Sequence, residues 1–286
     1  MPHKILIIDD DPELQELLTV ALRGAGYQTA SAQNALAGLD ALAHTEIDLV
    51  LLDVMMPGMD GLEMLARLRL TNQHLPVLVM TAVSTPETAI IAMREHANDF
   101  LAKPFDLNDL TSAVRHALEL APQEVKIEVL SARPEWIELR VPCSLHAIEP
   151  LERIMSQLKT DLPAAVRDGV TYAFREMLRN AIEHGGKNDP NQYVEVGYLR
   201  TPRVIMYRIK DPGEGFRVES LYHAAILNPE SDPTHHERVR EQLGMRPGGF
   251  GILIASNMVD EMIYNESHNE VVLLKYLGEE AEKVTG

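Results

Sequence analysis

Two domains of different fold class are expected in this chain: an α/β doubly wound, five-stranded parallel sheet over residues 1–120 and an α+β sandwich over 126–286, joined by a linker at 121–125. Three observations predict this division. The first 120 residues alternate short apolar runs with amphipathic segments, the pattern of repeated strand and helix units. Beyond residue 125 the strands and helices come in groups instead. Between them, Ala121-Pro122 interrupts a helical stripe. A length of 286 residues suffices for two separate hydrophobic cores.

In the first region Ile5 to Ile8, Tyr27 to Ser31, Leu49 to Leu52, Val77 to Met80 and Phe100 to Ala102 read as strands, with helices filling the gaps. Leu110, Val114, Ala117 and Leu118 give the last helix its inner stripe. In such sheets ligands bind beyond the carboxyl ends of the strands. Asp9 and Asp10 end the first strand, Asp53 the third and Thr81 the fourth, while Lys103 follows the fifth, so these residues are expected to converge. Carboxylates crowded together repel one another unless a hard divalent cation binds, and Mg2+ takes oxygen ligands of this kind. With its charge so neutralised, one carboxylate can attack a phosphoryl donor and form an acyl phosphate. Ile90, Ile91 and Met93 on the fourth helix read equally as core or as a contact surface.

The run DVMMPGMDG at 53–61, the triple acid at Asp9 to Asp11 and Lys103-Pro104 together resemble the flavodoxin-like receiver domain of bacterial response regulators, over essentially residues 1–120. The resemblance implies Asp53 as phosphoacceptor, with Asp9, Asp10, Asp53 and the Met55 carbonyl holding the metal. It further implies that Lys103 contacts the phosphoryl group, that the bond to Pro104 is cis, and that Thr81 and Phe100 form the switch pair. Ala82 is small enough to leave the phosphoryl site open.

The second region opens with strands at about Lys126 to Leu130 and Trp136 to Val141, then a helix from about His146 to Leu158. Asp161 and Pro163 signal the start of another helix. In it Val170, Ala173, Phe174, Met177, Leu178, Ala181 and Ile182 form one apolar stripe, with Glu176 and Asn180 four residues apart along its edge. Taken alone, that pair reads as an ordinary surface carboxylate and amide. Two further strands, near Tyr193 to Leu199 and Arg203 to Ile209, lead into the loop DPGEGF at 211–216. Its glycines allow close backbone approach to a ligand, and Asp211 offers a fixed acceptor suited to an adenine amino group. A second glycine cluster, RPGGFG at 246–251, precedes Ile252, Ala255, Ser256, Val259, Met262 and Ile263, read as one helical stripe whose start would cradle phosphate.

The order ExxxNAxEHG, DxGxGF and GxG opening a helix resembles the GHKL (Bergerat) ATPase superfamily, and FREMLRNAIEHG is most similar to its anti-sigma serine kinase branch. The resemblance implies that Asn180 binds Mg2+, that Asp211 contacts adenine, and that Gly213, Gly215, Gly249 and Gly251 shape the loops around ATP. It also implies Glu176 as general base toward a partner serine and 217–247 as a lid. His235 and His236 read as part of that solvated lid rather than as metal ligands.

Composition limits the alternatives. A formal charge of -17 argues against direct nucleic-acid binding and against an anionic membrane surface. No run approaches the about eighteen apolar residues of a membrane span. A signal peptide is not read at the N-terminus, so a cytoplasmic location is expected. The single cysteine, Cys143, reads as a small core residue. The resulting expectation is a two-component response regulator, phosphorylated on Asp53 by a sensor histidine kinase. Its ATP-binding output would act as a protein serine kinase or anti-sigma-like partner switch on a sigma factor or anti-sigma antagonist, with a homodimer left open. The alternative is an ATP-dependent module that sequesters its partner without transferring phosphate. A hybrid histidine kinase is disfavoured, because His116, the histidine near the junction, lies in the first region's last helix.

Overall fold

A computed structural model describes residues 2–82, 85–119, 127–133, 135–159, 162–216, 224–225, 232, 234–242 and 249–278. The expected linker at 121–125 lies outside them. The chain divides into two compact units, one of residues 1–128 with 149–158, the other of 129–148 with 159–286.

The first unit holds a parallel sheet of β1 (Lys4–Ile8), β2 (Gln28–Ala32), β3 (Leu49–Asp53), β4 (Val77–Thr81) and β5 (Asp99–Ala102), in the order β2-β1-β3-β4-β5. Strands β3 and β4 are buried at every position, as uninterrupted apolar runs in a sheet covered on both faces should be. Helices α1 (Pro12–Gly24), α2 (Ala35–His44), α3 (Gly61–Thr71), α4 (Pro86–Arg94) and α5 (Leu107–Glu119) connect and follow the strands. Their starts are locally specified: Asp11 accepts from the Glu13 and Leu14 amides, Asn34 from Ala37, Asp60 from Glu63 and Thr85 from Thr88. Leu110, Val114 and Ala117 of α5 join the core that Ile5, Leu51 and Met80 form, with Leu118 packed against it. Ile90 and Met93 are buried, whereas Ile91 is 41% exposed, so the two readings of that stretch divide between residues.

The second unit is built on an antiparallel sheet of β6 (Glu128–Arg133), β7 (Trp136–Pro142), β8 (Tyr193–Arg200), β9 (Val204–Lys210), β10 (Glu261–Tyr264) and β11 (Glu270–Tyr276), in the order β10-β11-β9-β8-β7-β6. Burial alternates along β7 and β9, so one face is covered. A short 3-10 turn at Leu145–Ala147 precedes α6 (Ile148–Gln157), of which residues 149–157 fall within the first unit. Helix α7 (Ala164–Asn180) buries Val170, Ala173, Phe174, Met177 and Leu178, and the Phe174 ring lies 4.6 Å from that of Tyr207. Each large side chain so buried contributes about 1.5–3 kcal/mol. The chain then passes through a π turn at Ala181–Gly185. Helices α8 (His235–Gln242) and α9 (Gly251–Met258) follow.

Two expectations are corrected. The helical stripe drawn through Ile263 stops at Met258, because Val259 is extended (φ -116°, ψ 166°), and Met262 and Ile263 lie in β10. His236 is fully buried with its ring edge-on to Phe250, 4.3 Å between centroids, so it is not a solvated lid residue.

Candidate phosphoryl and nucleotide sites

Asp9, directly after β1, and Asp53, the last residue of β3, are buried, while Asp10 is exposed; oxygens of all three lie within 4.8 Å of one another. Asp9 is further fixed as acceptor of the Asp11 amide at 3.0 Å. The third acid of the run, Asp11, is used to cap α1. Gln15, which carried no signal in the sequence, donates from Nε2 to the Asp9 and Ala32 carbonyls and so ties the ends of β1 and β2 together.

The Lys103 Nζ lies 2.6 Å from Asp9 Oδ2 and 2.7 Å from Asp53 Oδ1. Its peptide bond to Pro104 is cis, and its amide donates to the Thr81 carbonyl at 2.7 Å. Burial raises the Asp53 carboxyl above its ordinary range despite the opposing pull of Lys103, and the charges of Asp9 and Asp10 add to the rise. Burial works against the Lys103 ammonium, but its bonds to Asp53 and Asp9 prevail and raise it. Three carboxylates against one ammonium leave an excess of hard oxygen donors, a donor set that fits Mg2+. Met55 sits two residues beyond Asp53 and is 55% exposed. Thr81 and Phe100 are both buried, at the end of β4 and within β5, and Ala82 is exposed.

In the second unit Glu176, Asn180, Asp211, Gly213, Gly215, Gly249 and Gly251 line one cavity of about 980 Å³. Segments of the chain up to 75 positions apart thus meet at one place, as the three motifs require. Asp211, just beyond β9, is oriented twice: its amide donates to the Asn269 carbonyl at 2.9 Å, and its Oδ1 accepts the Gly213 amide at 2.8 Å. Burial raises its carboxyl, the Gly213 bond partly offsetting it. The packing here needs glycine at two points. A Cβ at Gly185 would lie 2.3 Å from Asp211 Oδ1, and Gly215, at φ +82°, would place one 1.7 Å from the Ser267 carbonyl.

A Cβ built at Gly251 would meet Glu176 Oε2 at 2.5 Å, which locates the Glu176 carboxylate at the first turn of α9. There the unpaired amides of the helix favour negative charge. The cavity's size, its acceptor at Asp211 and the helix start fit a nucleoside triphosphate. Asn180 offers one amide oxygen, enough for a Mg2+ whose other ligands are phosphates and water.

Tyr264, His268 and Asn269 also line this cavity and were missed, since β10, β11 and their turn gave no separate signal once Met262 and Ile263 were read as helix. Asn269 Nδ2 donates to the Gly213 carbonyl at 3.1 Å, and the Phe216, Tyr264 and His268 rings cluster with centroids 5.0–5.6 Å apart. Of the expected lid, 224–225, 232 and 234–242 are described, Ala225 bonding to the Gly249 carbonyl; the rest, Arg246 included, lies outside the described residues. Cys143 is buried, its thiol pushed up to about 11 by burial. No helix among the described residues is long and apolar enough to cross a membrane.

Comparison with known proteins identifies two family regions in the chain. Residues 5–115 match the response regulator receiver domain, and residues 141–275 match a histidine kinase-like ATPase domain. The regulatory protein AtoC of Escherichia coli is 27% identical over 208 residues, covering 71% of this chain and 45% of AtoC, so the chain spans less than half of that relative. The DNA-binding response regulator MtrA of Mycolicibacterium smegmatis is 33% identical over 166 residues, covering 58% of this chain and 71% of MtrA. A solved structure of a response regulator from Chloroflexus aurantiacus is 35% identical over 42% of this chain and 100% of that one, with a TM-score of 0.41. The chain belongs to the response regulators, its receiver domain being followed by a histidine kinase-like ATPase domain.

Proposed function

We propose that this chain is a signal-controlled protein serine kinase or anti-sigma-like partner switch, set by phosphorylation of Asp53. A sensor histidine kinase is the proposed phosphodonor. An Asp53 oxygen attacks the phosphorus of the donor's phosphohistidine, the P–N bond breaks and the imidazole leaves, so that Asp53 becomes an acyl phosphate; Lys103 stabilises the added oxygens, and Asp9 and Asp10 would hold the Mg2+ that offsets the charge. Thr81 and Phe100, the proposed switch pair, lie on the adjacent strands β4 and β5.

The output reading rests on one observation: Glu176 lines the same cavity as Asn180, Asp211 and the four glycines, with its carboxylate at the first turn of α9. ATP bound with its adenine at Asp211 and its phosphates at α9 would present its terminal phosphate near Glu176. A partner's serine oxygen then attacks that phosphorus, ADP leaves, and the serine proton passes to Glu176. The protein partner is proposed to be a sigma factor or its antagonist; the charge of -17 disfavours direct DNA binding by this chain.

The competing reading, an ATP-bound module that only sequesters its partner, follows if Glu176 serves as an acceptor at the α9 start and never as a base. Glu176→Gln separates the two. Kinase action requires that this variant bind ATP but no longer label a partner serine; undiminished labelling refutes Glu176 as base.

A further inference from the structure

Asp99, the first residue of β5, is a carboxylate only 2% exposed. Arg153 of α6 clamps it from one side, with Nε 2.9 and 2.8 Å from the two carboxylate oxygens and Nη2 2.6 Å from Oδ2. Burial raises the Asp99 carboxyl, and the bonds from Arg153 oppose that rise. Asp99 Oδ1 also accepts the amide of Phe100 at 2.8 Å, so the clamp bears on the backbone of β5 itself. The helix that supplies Arg153 is inserted in sequence within the second unit, since residues 129–148 and 159–286 flank it. It also falls inside the stretch that matches the ATPase domain. A cavity of about 490 Å³ lies beside α6, bordered by Pro150 and Ile154 along with Arg69, His74 and Met93.

The other end of β5 reaches the phosphoryl site. Lys103 follows Asp99 by four positions; its ammonium rests on Asp53 and Asp9 and its amide is held by the Thr81 carbonyl. Strand β5 therefore joins a site whose Asp53 carboxylate becomes a bulkier acyl phosphate of about -1.5 to -2 charges to a two-pronged ion pair of short reach. A forked guanidinium–carboxylate pair tolerates little displacement, so a shift of β5 that followed Lys103 toward the enlarged charge would strain it.

We propose that α6 is a phosphorylation-sensitive strap, held on β5 by Arg153 and Asp99 and loosened when Asp53 is phosphorylated. This rests on Asp53 as phosphoacceptor. Release of α6 changes where the chain enters and leaves the second unit, which supplies a covalent route from the signal to the ATPase domain.

Hydrogen exchange of residues 148–158 in the full chain, with and without acetyl phosphate, tests it, intact mass reporting the phosphoryl group independently. The strap predicts about tenfold faster exchange in the phosphorylated wild type, about 1.4 kcal/mol of local opening free energy, and no change in Asp53→Ala. Arg153→Gln should exchange rapidly in both states, and Arg153→Lys, which keeps the charge but loses the fork, should fall between. Protection of the β1 amides shows that a variant remains folded; if Arg153→Gln loses it, the wild-type comparison alone decides. Phosphorylated wild type with unchanged or slower α6 exchange overturns the strap and leaves the Asp53 assignment intact. Wild type that never gains the phosphoryl mass overturns both.

Discussion

Replacing Lys103 with methionine keeps most of the side-chain volume and removes the one ammonium that rests on two buried carboxylates. In the wild type Nζ lies 2.6 Å from Asp9 Oδ2 and 2.7 Å from Asp53 Oδ1, with Asp9 0% and Asp53 2% exposed. Removing one partner of a buried ion pair costs about 3–5 kcal/mol, because the remaining charge is left uncompensated. The Lys103 side chain is 18% exposed, so water reaches the site and the lower end, about 3 kcal/mol, applies. Mg2+ should return most of this: binding the folded state at 100 times its dissociation constant stabilises it by about 2.7 kcal/mol. It should stabilise the variant more than the wild type, in which the ammonium competes for the same oxygens. Urea unfolding followed by circular dichroism, in EDTA and in Mg2+, measures both quantities, and exchange of β1 and β3 amides assigns the transition to the first unit. A loss below about 1 kcal/mol in EDTA, or a larger Mg2+ effect on the wild type, would refute this account of the acid cluster.

Arg153→Ala should make stability pH-dependent in a definite sense. Without the guanidinium the Asp99 carboxyl, already raised by burial, rises further. The folded state then holds a proton that the unfolded state has released, so stability falls as pH rises from the ordinary carboxylate value of 3.8 through the raised folded value. The deficit relative to wild type should be greatest at neutral pH and shrink on acidification; a deficit independent of pH in denaturation curves from pH 3 to 7, a range of about four units, would contradict it. Gly185→Ala forces a Cβ to within 2.3 Å of Asp211 Oδ1, displacing the proposed adenine acceptor. Calorimetric titration should show ATP affinity reduced by at least about tenfold, or about 1.4 kcal/mol, and wild-type affinity in a folded variant would remove Asp211 from that role.

Much of the first unit was legible because β1, β3 and β4 carry uninterrupted apolar runs, those of β1 and β3 closed by acids. Nothing in Leu49–Asp53 or Val77–Thr81 competes with a buried parallel strand, and all five strand positions agree with the structure to within about two residues. The nucleotide cavity was legible through its glycine loops, which turned Glu176 and Asn180 from surface residues into cavity residues. Its far wall was not. Val259, Met262 and Ile263 continue the helical spacing of Ile252 and Ala255 by coincidence, and strand β10 is too short for its alternation to outweigh that pattern. Tyr264, His268 and Asn269 were lost with it. The Asp99–Arg153 pair joins residues 54 positions apart and leaves no periodic trace, since a single Arg on an amphipathic helix normally faces solvent. His236 escaped for the opposite reason: its polar neighbours suggest an exposed segment, whereas its ring packs on Phe250.

In the proposed function, Asp53 controls phosphoryl transfer by the ATP site. The direct test is transfer of labelled phosphate from ATP to a protein partner captured with this chain, comparing wild type, Asp53→Ala and Glu176→Gln, each with and without acetyl phosphate. A coupling of about 1–3 kcal/mol predicts that phosphorylation changes the wild-type transfer rate about 5- to 150-fold. It also predicts no response in Asp53→Ala, and no transfer despite intact ATP binding in Glu176→Gln. Equal transfer by all three proteins in both conditions would contradict the account.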